Sequence, residues 1–371
     1  MYPVHVEPGI LVLLRELLEE RVPRRPLVMI ADEKVNRLYD EWTSGTAEAR
    51  RLGARASDAG MRPRFLKRLV FPQGELSKSR ETWSRLTDEL LADGIGRDAA
   101  IVAMGGGVTG DLAGFVAATY LRGIPYVQVP TTLLAMLDSS VGGKVGVDTA
   151  FGKNQVGAFY PPVMVVADPL TLMSLPDRDY RAGLAEAVKH GMIADREYFD
   201  WIASKGRDIR ARQPATITQL VQRSIEIKVG VVTLDERERG RRAILNAGHT
   251  VAHAIEAASG YRMHHGECVS IGLVVECRIA EAMGLAEPGT AITVAKVLER
   301  FGLPLRLPED IAPETVLEAM AVDKKNRAGA IHFSFPRAVG AMHGSGTDWT
   351  VASPPEVILK ELSSGTLNIS T

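Results

Sequence analysis

Five short apolar segments in the first half of the sequence decide its fold class. Each runs into Gly, Pro or Asp near its end, and helical stretches separate several of them. They span 25–33, 64–72, 99–107, 124–130 and 163–169. Because they stay apolar instead of alternating with polar residues, they fit strands that are buried on both faces. The first half is therefore predicted to be an α/β domain of the Rossmann-like kind, with a mostly parallel sheet.

The second half has a different pattern. After Leu175 and Pro176 the apolar residues recur at helical spacing, and no convincing strand lies between them. We therefore predict an α/β domain over 1–176 and an all-α domain over 177–371. Two domains also suit a length of 371 residues, since a domain usually holds about 100–200 residues.

Charge and composition exclude several classes of partner. The chain has 44 basic and 45 acidic residues and a net charge of −1, which argues against nucleic acid and against an anionic membrane surface. It lacks the run of about 18 apolar residues that a membrane span needs. Its start does not resemble a secretory signal. Cys268 and Cys277 lie on one predicted helix about 13 Å apart, too far for a disulfide, so we expect a cytoplasmic protein.

A glycine-rich turn follows the third predicted strand. The stretch "AMGGGVTGDLAGF" contains Gly105-x-Gly107-x-x-Gly110 and opens a helix. Glycines let the backbone approach a pyrophosphate, and the helix N-terminus offers free N–H groups. A tight strand-to-helix turn without a ligand would use the same glycines. The pattern therefore indicates dinucleotide binding without establishing it.

Other polar residues follow the predicted strands at the edge where open α/β sheets bind ligands. Asp32 could hold a ribose hydroxyl or simply close a turn, and Glu75 and Lys78 lie in the next such loop. The segment 130–162 is rich in Gly, Ser, Thr and Lys and is predicted to be irregular. Irregular segments of that length usually line a site, although a solvated loop is the alternative.

Within that segment, Lys144, Lys153 and Asn154 could bracket an anionic ligand. Asp138 lies among small residues and could orient one of the lysines.

A polar stripe is predicted in the second domain. Arg242, Asn246, His249 and His253 follow one another at steps of four, three and four residues, so a single helix would place them on one face. The two imidazoles would then lie roughly 6 Å apart along the helix axis. We interpret this row as a site instead of a solvated face.

The same region holds candidate metal ligands. Four of the eight histidines lie between 249 and 265, and Glu186 and Lys189 lie one helical turn apart upstream. One carboxylate and two imidazoles would suit a catalytic zinc-type ion, but spacing alone does not choose between His264 and His265. The cations Lys189, Lys228, Arg242, Lys324 and Lys325 indicate a ligand with more than one negative group.

Seven stretches together resemble a known family. They are "GGGVTGDLAGFVAATYLRG", "VPTTLLAMLDSSVGGKVGVD", "GKNQVGAFYPP", "GLAEAVKHG", "DERERGRRAILNAGHTVAHAIE", "HHGE" and the late "DKK". In order and spacing they resemble the 3-dehydroquinate synthases of the sugar phosphate cyclase family, over nearly the whole chain.

The resemblance implies an NAD-binding α/β domain, a helical metal-binding domain and a homodimer. It also implies conversion of 3-deoxy-D-arabino-heptulosonate 7-phosphate to 3-dehydroquinate and phosphate. That is a phosphate-eliminating (lyase) step of the shikimate pathway to chorismate and the aromatic amino acids, with NAD⁺ and Zn²⁺ or Co²⁺ as cofactors.

The resemblance also assigns residues. The metal ligands would be Glu186, His249 and His265. The catalytic and substrate-pocket residues would be Arg122, Asp138, Lys144, Asn154, Lys189, Lys228, Arg242, Asn246, His253 and Lys324 (or Lys325). Arg122 would reach the phosphate site of the neighbouring subunit. NAD would contact Asp32, Glu75, Lys78, Gly107, Val108, Thr109, Gly110, Asp111, Thr131, Thr132, Lys144, Lys153, Thr171, Leu172, Met173 and Ser174.

Two residues depart from the family pattern. Lys34 and Asp148 stand where Asn is common in the family, and neither is expected to touch the catalytic residues. Another sugar phosphate cyclase, such as the amino-substrate relative, remains an alternative. A metal-dependent polyol dehydrogenase and a non-enzymatic metal- or nucleotide-binding scaffold are further alternatives, although the phosphate-handling cations argue against the dehydrogenase.

Overall fold

The chain forms two compact units in a computed structural model that describes residues 2–43, 63–235, 240–322 and 330–364. The first unit comprises Met1–Leu175 with Ile217–Gln222, and the second comprises Pro176–Thr216 with Arg223–Thr371. Lys324 and Lys325 lie outside the described residues.

A six-stranded sheet organises the first unit. Its strands are β1 (Val4–Val6), β2 (Leu27–Asp32), β3 (Phe65–Phe71), β4 (Ala100–Gly105), β5 (Tyr126–Pro130) and, after a hairpin described below, β8 (Met164–Ala167). They follow the order β1-β8-β5-β4-β2-β3, and every neighbouring pair is parallel. All five apolar segments become strands of this sheet, which confirms the predicted fold class.

Both faces of the sheet are covered, which explains why its strands do not alternate. On β4, Ile101 and Ala103 pack into one apolar cluster, whereas Val102 and Met104 pack into another. The connecting helices of this unit are α1 (Leu14–Arg21), α2 (Glu33–Thr43), α3 (Arg80–Ala92) and α4 (Gly107–Thr119). Parallel strands need such crossovers.

The segment predicted to be irregular is instead partly an antiparallel hairpin. Strands β6 (Lys144–Thr149) and β7 (Gly152–Phe159) pair with each other, and a π-helix covers Ala135–Ser139. Most of β7 is exposed. A strand without a buried face has no need of alternating apolar residues, so its sequence gave no strand signal.

The second unit is helical, as predicted. Its helices are α5 (Asp177–Ala194), α6 (Arg196–Ser204), α7 (Gly206–Arg210), α8 (Pro214–Leu234, of which 217–222 belong to the first unit), α9 (His249–Ala258), α10 (His265–Ala282), α11 (Thr290–Arg300), α12 (Pro313–Val322) and α13 (Pro355–Ser363). Its described residues also form four unexpected strands, β9 (Ile331–Phe333), β10 (Pro336–Ala338), β11 (Ala341–Met342) and β12 (Val351–Ser353). Strands of two or three residues are too short to show a period.

The predicted single helix for the polar stripe is wrong. Arg241–Asn246 is a separate 3-10 helix, and α9 begins at His249 after Gly248, whose φ is 79°. The 3-10 helix has already ended at its C-cap, Ala247, and Gly248 adopts its left-handed conformation at the start of α9 without a steric cost. Arg242 and Asn246 therefore do not share a helix face with His249 and His253.

Two observations on the described residues bear on the expected environment. No described helix is both long and apolar enough to cross a membrane. Cys268 and Cys277 lie on α10 as buried free thiols, so they form no disulfide with each other.

Candidate metal centre and cofactor-binding edge

Three side chains of the second unit converge on one point. Glu186 of α5 is fully buried, and His249 and His265 are the first residues of α9 and α10. Glu186 Oε1 lies 3.7 Å from His249 Nε2 and 3.4 Å from His265 Nε2. One ligand atom from each residue lies within 4.8 Å of the others. Three helices thus bring one carboxylate and two imidazoles together.

Hydrogen bonds on the far side of each ring fix which nitrogen faces the centre. His249 Nδ1 lies 3.1 Å from the carbonyl oxygen of Ala247, and His265 Nδ1 lies 2.9 Å from Glu256 Oε1. A carbonyl or carboxylate oxygen can only accept, so each Nδ1 donates its hydrogen. The Nε2 atoms are therefore the ones that face the centre, as metal-bound histidines require.

The charge states of the rings also suit a cation. Burial, together with the nearby Lys189 cation, lowers the pKa of His249 well below its ordinary value, so this ring is neutral at pH 7. Burial would also lower the pKa of His265, but hydrogen bonds with Glu186 and Glu256 outweigh it and raise the pKa to about 9. The two carboxylates thus favour positive charge at His265, and a divalent ion could replace that proton.

The sequence left His264 and His265 as alternatives, and the structure separates them. His264 Nδ1 points to Asp179, 3.2 Å from Oδ1, whereas His265 faces Glu186. The backbone N–H of His264 donates to Glu267 Oε2 at 2.9 Å, and Glu267 accepts two hydrogen bonds from Arg178 at 2.8 Å each. Glu267 therefore fixes the start of α10, where His265 lies.

Further polar groups lie close to this centre. Lys189 forms an ion pair with Glu186, and both side chains are buried. The His253 ring lies 5.5 Å from that of His249 and 6.3 Å from that of His265, between centroids. Lys228 and Arg242 are also buried, and the 3-10 helix that carries Arg242 and Asn246 contacts α5. The centre therefore lies beside Lys189, a buried cation.

In the first unit, most of the predicted NAD contacts lie at one edge of the sheet. The strands are all parallel, so their carboxyl ends share that edge. Each of the following groups lies at or soon after a strand's carboxyl end: Asp32 on β2; Glu75 and Lys78 after β3; Gly107, Val108, Thr109, Gly110 and Asp111 after β4; Thr131 and Thr132 after β5; and Thr171, Leu172, Met173 and Ser174 after β8. Open α/β sheets bind nucleotides there.

The glycine-rich turn has an internal role as well. A side chain at Gly105 would lie 2.3 Å from Thr109 Oγ1, and one at Gly110 would lie 3.2 Å from Gln128 Oε1. Gly105 is thus needed for the turn itself, and Gly110 lets α4 lie close to β5. The turn also places the N-terminus of α4, which has no side-chain cap, at the carboxyl edge, where its N–H groups fit a pyrophosphate.

Lys78 links the loop after β3 to α4 and β7. Its side chain is buried, and Nζ lies 2.5 Å from both Asp111 Oδ2 and Asn154 Oδ1. Burial would lower the pKa of Lys78, but the charges of Asp111 and Glu75 outweigh it and raise the pKa. Lys153 lies 3.4 Å from Glu75 Oε1.

Asp148 contradicts the expectation that it would not touch the catalytic residues. Its Oδ1 accepts a hydrogen bond from the Asn154 backbone at 2.8 Å, and its own N–H donates to the Lys78 carbonyl at 2.7 Å. Asn154 has a φ of 54°, a conformation that costs free energy for a non-glycine residue. Asp148 therefore helps to hold Asn154 in place.

The remaining predicted residues occupy varied positions. Arg122 is exposed, and it and Leu121 have φ values of 69° and 48°. Asp138 is half-buried in the π-helix, and Lys144 is exposed at the start of β6. Asp32 Oδ1 accepts from the Val35 backbone at 2.9 Å, so it does close a turn.

Sequence reasoning missed Glu256, Glu267 and Asp148. Glu256 lies seven residues after His249 and three after His253 on α9, and Glu267 lies two after His265. For Glu256 the spacing to the histidines was a usable signal, because metal-binding histidines usually donate to a carboxylate.

Comparisons with known proteins agree with this architecture. Residues 68–182 match the family model "3-dehydroquinate synthase N-terminal", and residues 183–326 match "3-dehydroquinate synthase C-terminal". A 3-dehydroquinate synthase of Symbiobacterium thermophilum is 45% identical over 337 residues, which are 90% of this chain and 91% of that protein.

Two solved structures share the fold. The 2-epi-5-epi-valiolone synthase from Streptomyces hygroscopicus subsp. jinggangensis 5008, with NAD⁺ and Zn²⁺ bound, is 28% identical with a TM-score of 0.81 and covers 98% of this chain and 96% of its own. A 2-deoxy-scyllo-inosose synthase complexed with carbaglucose-6-phosphate, NAD⁺ and Co²⁺ has a TM-score of 0.84 at 24% identity, with the same coverage of 98% and 96%.

The parallel sheet with its glycine-rich edge and the helical unit with its carboxylate–imidazole group define the dehydroquinate synthase-like fold of the sugar phosphate cyclases. Within that class, the two family models and the 45% identity over 90% of the chain are decisive. The chain belongs to the 3-dehydroquinate synthase family.

Proposed function

We propose that this protein is a 3-dehydroquinate synthase, a phosphate-eliminating lyase of the shikimate pathway. It converts 3-deoxy-D-arabino-heptulosonate 7-phosphate to 3-dehydroquinate and phosphate. The observation that carries the proposal is the convergence of Glu186, His249 and His265, with both Nε2 atoms directed to the buried carboxylate. The 45% identity to a relative of that name supplies the substrate.

The residues present fit the two cofactors of the related structures. Glu186, His249 and His265 would hold Zn²⁺ or Co²⁺ once the ion has displaced the proton of His265, since one carboxylate and two imidazoles leave room for substrate oxygens. The carboxyl edge of the sheet over 1–176 would hold NAD⁺. When bound, NAD⁺ would take and return a hydride at the C5 position, and the metal would polarise the neighbouring hydroxyl oxygens.

The chain's own residues would bind and orient the substrate. Buried cations are strong partners for phosphate and carboxylate because little water competes with them. Lys189, Lys228 and Arg242 are such cations in the segment 177–371. By resemblance to the family, Lys144, Asn154, Asp138 and Lys324 would also bind the substrate. His253, beside both metal-binding imidazoles, would relay the hydroxyl proton with Asn246.

We further propose a cytoplasmic homodimer. The buried free thiols of Cys268 and Cys277 suit a reducing compartment. Arg122 is exposed on a left-handed turn, a position from which it could reach the phosphate of the partner subunit. Light scattering would give the oligomeric state, and an Arg122→Ala variant should keep that state and lose affinity for the phosphorylated substrate.

The test is phosphate release from 3-deoxy-D-arabino-heptulosonate 7-phosphate with NAD⁺ and Zn²⁺, with NADH followed by absorbance and the carbocycle identified by mass. Equal amounts of phosphate and dehydroquinate, no steady NADH and loss of activity on chelation are expected. Steady NADH from a polyol would instead indicate a dehydrogenase. Turnover of an amino-sugar or heptulose phosphate alone would indicate another sugar phosphate cyclase.

A further inference from the structure

A buried carboxylate on α10 caps the helix that carries His249. Glu276 is 1% exposed. Its Oε2 accepts a hydrogen bond from the Gly248 N–H at 2.6 Å, and its Oε1 accepts one from the Val251 N–H at 3.3 Å. These are backbone groups at the start of α9, on either side of His249.

The sequence of α9 cannot supply this cap itself. The first N–H groups of a helix have no partner within the helix, and residues with side-chain oxygens usually satisfy them. Here the N-cap is Gly248, which makes no side-chain hydrogen bond. A carboxylate in that place also interacts favourably with the helix dipole. Glu276 therefore replaces the missing local cap from another helix.

The two helices approach closely at this end. A side chain at Gly272, one turn before Glu276 on α10, would place its Cβ 2.0 Å from the carbonyl oxygen of Gly248. Contact between the two backbones leaves little freedom in the distance between α10 and the start of α9. The hydrogen bonds of Glu276 then set the orientation of that start.

At the opposite end of α9 and α10 the roles of the two helices are exchanged. Glu256, near the end of α9, accepts from His265 at the start of α10. Glu276, towards the end of α10, accepts from the start of α9. The helices are thus antiparallel, and each carries a carboxylate that accepts hydrogen bonds at the start of the other helix. The first residues of the two helices are His249 and His265.

We propose that Glu276 is a positioning residue of the metal centre. By capping α9 it holds His249 Nε2 towards Glu186, and so it sets the geometry in which a divalent ion is bound. This inference rests on the proposed metal centre and assigns to Glu276 no contact with substrate or metal.

The chain offers a matched control on the same helix. Glu281 Oε1 accepts from the Ala291 N–H at 2.8 Å, so it caps the start of α11 as Glu276 caps the start of α9. None of the proposed site residues lies on α11. The substitutions Glu276→Gln and Glu281→Gln therefore make the same chemical change, and only the first affects a helix with a metal ligand.

The experiment uses the full chain and Co²⁺ alone. The affinity of the protein for Co²⁺ is measured by competition with a chelator, and the visible spectrum of bound Co²⁺ is recorded. Thermal unfolding is followed in the metal-free protein. Glu276→Gln is expected to weaken Co²⁺ binding by about 10–100-fold and to change the spectrum. Glu281→Gln is expected to lower the melting temperature and to leave the affinity and spectrum as in the wild type.

Two results would overturn the inference: an unchanged affinity in Glu276→Gln, or equal losses of affinity in both variants. Glu276→Asp keeps the buried charge but shortens its reach, so it provides a second test if the glutamine variant does not fold, with weaker Co²⁺ binding again expected. A wild type that binds Co²⁺ but does not release phosphate would remove the proposed reaction, while the comparison of affinities would still decide the role of Glu276.

Discussion

Glu256 accepts a hydrogen bond from His265 Nδ1 at 2.9 Å, and its side chain is 3% exposed. Because Nδ1 is engaged in this bond, Nε2 is the nitrogen that faces Glu186. A carboxylate that accepts from the far nitrogen of an imidazole is the arrangement that commonly orients a metal-binding histidine. The carboxylate also makes the ring a stronger electron donor to a cation. Glu256 is therefore expected to act on metal affinity through His265.

The substitution Glu256→Gln should weaken Zn²⁺ binding by about 10–100-fold, because an amide is a weaker acceptor and adds no negative charge. Competition with a chromophoric chelator measures this. Glu361→Gln is the control, since Glu361 is also buried and pairs with Arg278 at 2.9 Å. Equal Zn²⁺ affinities in the Glu256 variant and the wild type would show that Glu256 does not act on metal binding through His265.

Metal uptake should depend on pH through His265. Its pKa is raised to about 9, so at neutral pH a divalent ion must displace a proton, whereas His249 is already neutral. Affinity for Co²⁺ should rise about tenfold per pH unit and level off above pH about 9. Titrations in buffers of different ionisation enthalpy should show about one proton released at pH 7.5.

The metal-free protein should show the opposite trend in stability. A folded pKa above the unfolded value of about 6.5 adds stability that is complete below pH about 6.5. That stability is lost as the pH rises through about 9. A melting temperature that does not change over this range would count against the shifted pKa.

The sequence predicted those elements whose burial appears as an apolar pattern. It failed where contacts between distant residues determine the local structure. The apolar run around Ile101 and Val102 identified β4 because both faces of that strand are covered. The prediction that one helix carries Arg242 to His253 is wrong because the spacing of the polar residues takes no account of Gly248 between them. A glycine inside a helical pattern can be a helix residue or, as here, a left-handed break with a φ of 79°.

The supporting carboxylates could not be read from the sequence in the same way. Glu276 lies 28 positions from its partner Gly248, and an acidic residue on a helix usually lies on a solvated face. Only the packing of α9 against α10 shows that Glu276 is buried.

Lys78 should be needed for NAD⁺ binding and for the stability of the first unit. Lys78→Met would leave Asp111 without its ion pair at the carboxyl edge. Breaking a buried ion pair lowers the free energy of unfolding by roughly 3–5 kcal/mol. Because the Asp111 side chain is 18% exposed, the expected loss is smaller than that. Isothermal titration should show at least a tenfold loss of NAD⁺ affinity.

The control for this change is Lys67→Met. Lys67 pairs with Asp93 at 2.6 Å, but both side chains are more than a third exposed, and such surface pairs contribute about 0–1 kcal/mol. NAD⁺ affinity should not change in this variant. The role of Lys78 would be refuted by equal losses in the two variants.

Gly266 should tolerate no side chain, because α10 meets α5 at that residue. A Cβ at Gly266 would lie 1.8 Å from the carbonyl oxygen of Ala182, so Gly266→Ala must push the two helices apart. Overpacking of this kind costs about 1–3 kcal/mol, and here it also separates His265 from Glu186. Loss of Co²⁺ affinity, with a lower free energy of unfolding in urea, is the expected result.

Gly230→Ala is the matched control: Gly230 lies within α8, and a Cβ there meets no described atom within 4 Å. That variant should be more stable by about 0.5–1 kcal/mol and bind Co²⁺ as the wild type does. Wild-type affinity in Gly266→Ala would show that the contact between α5 and α10 does not set the spacing of the metal ligands.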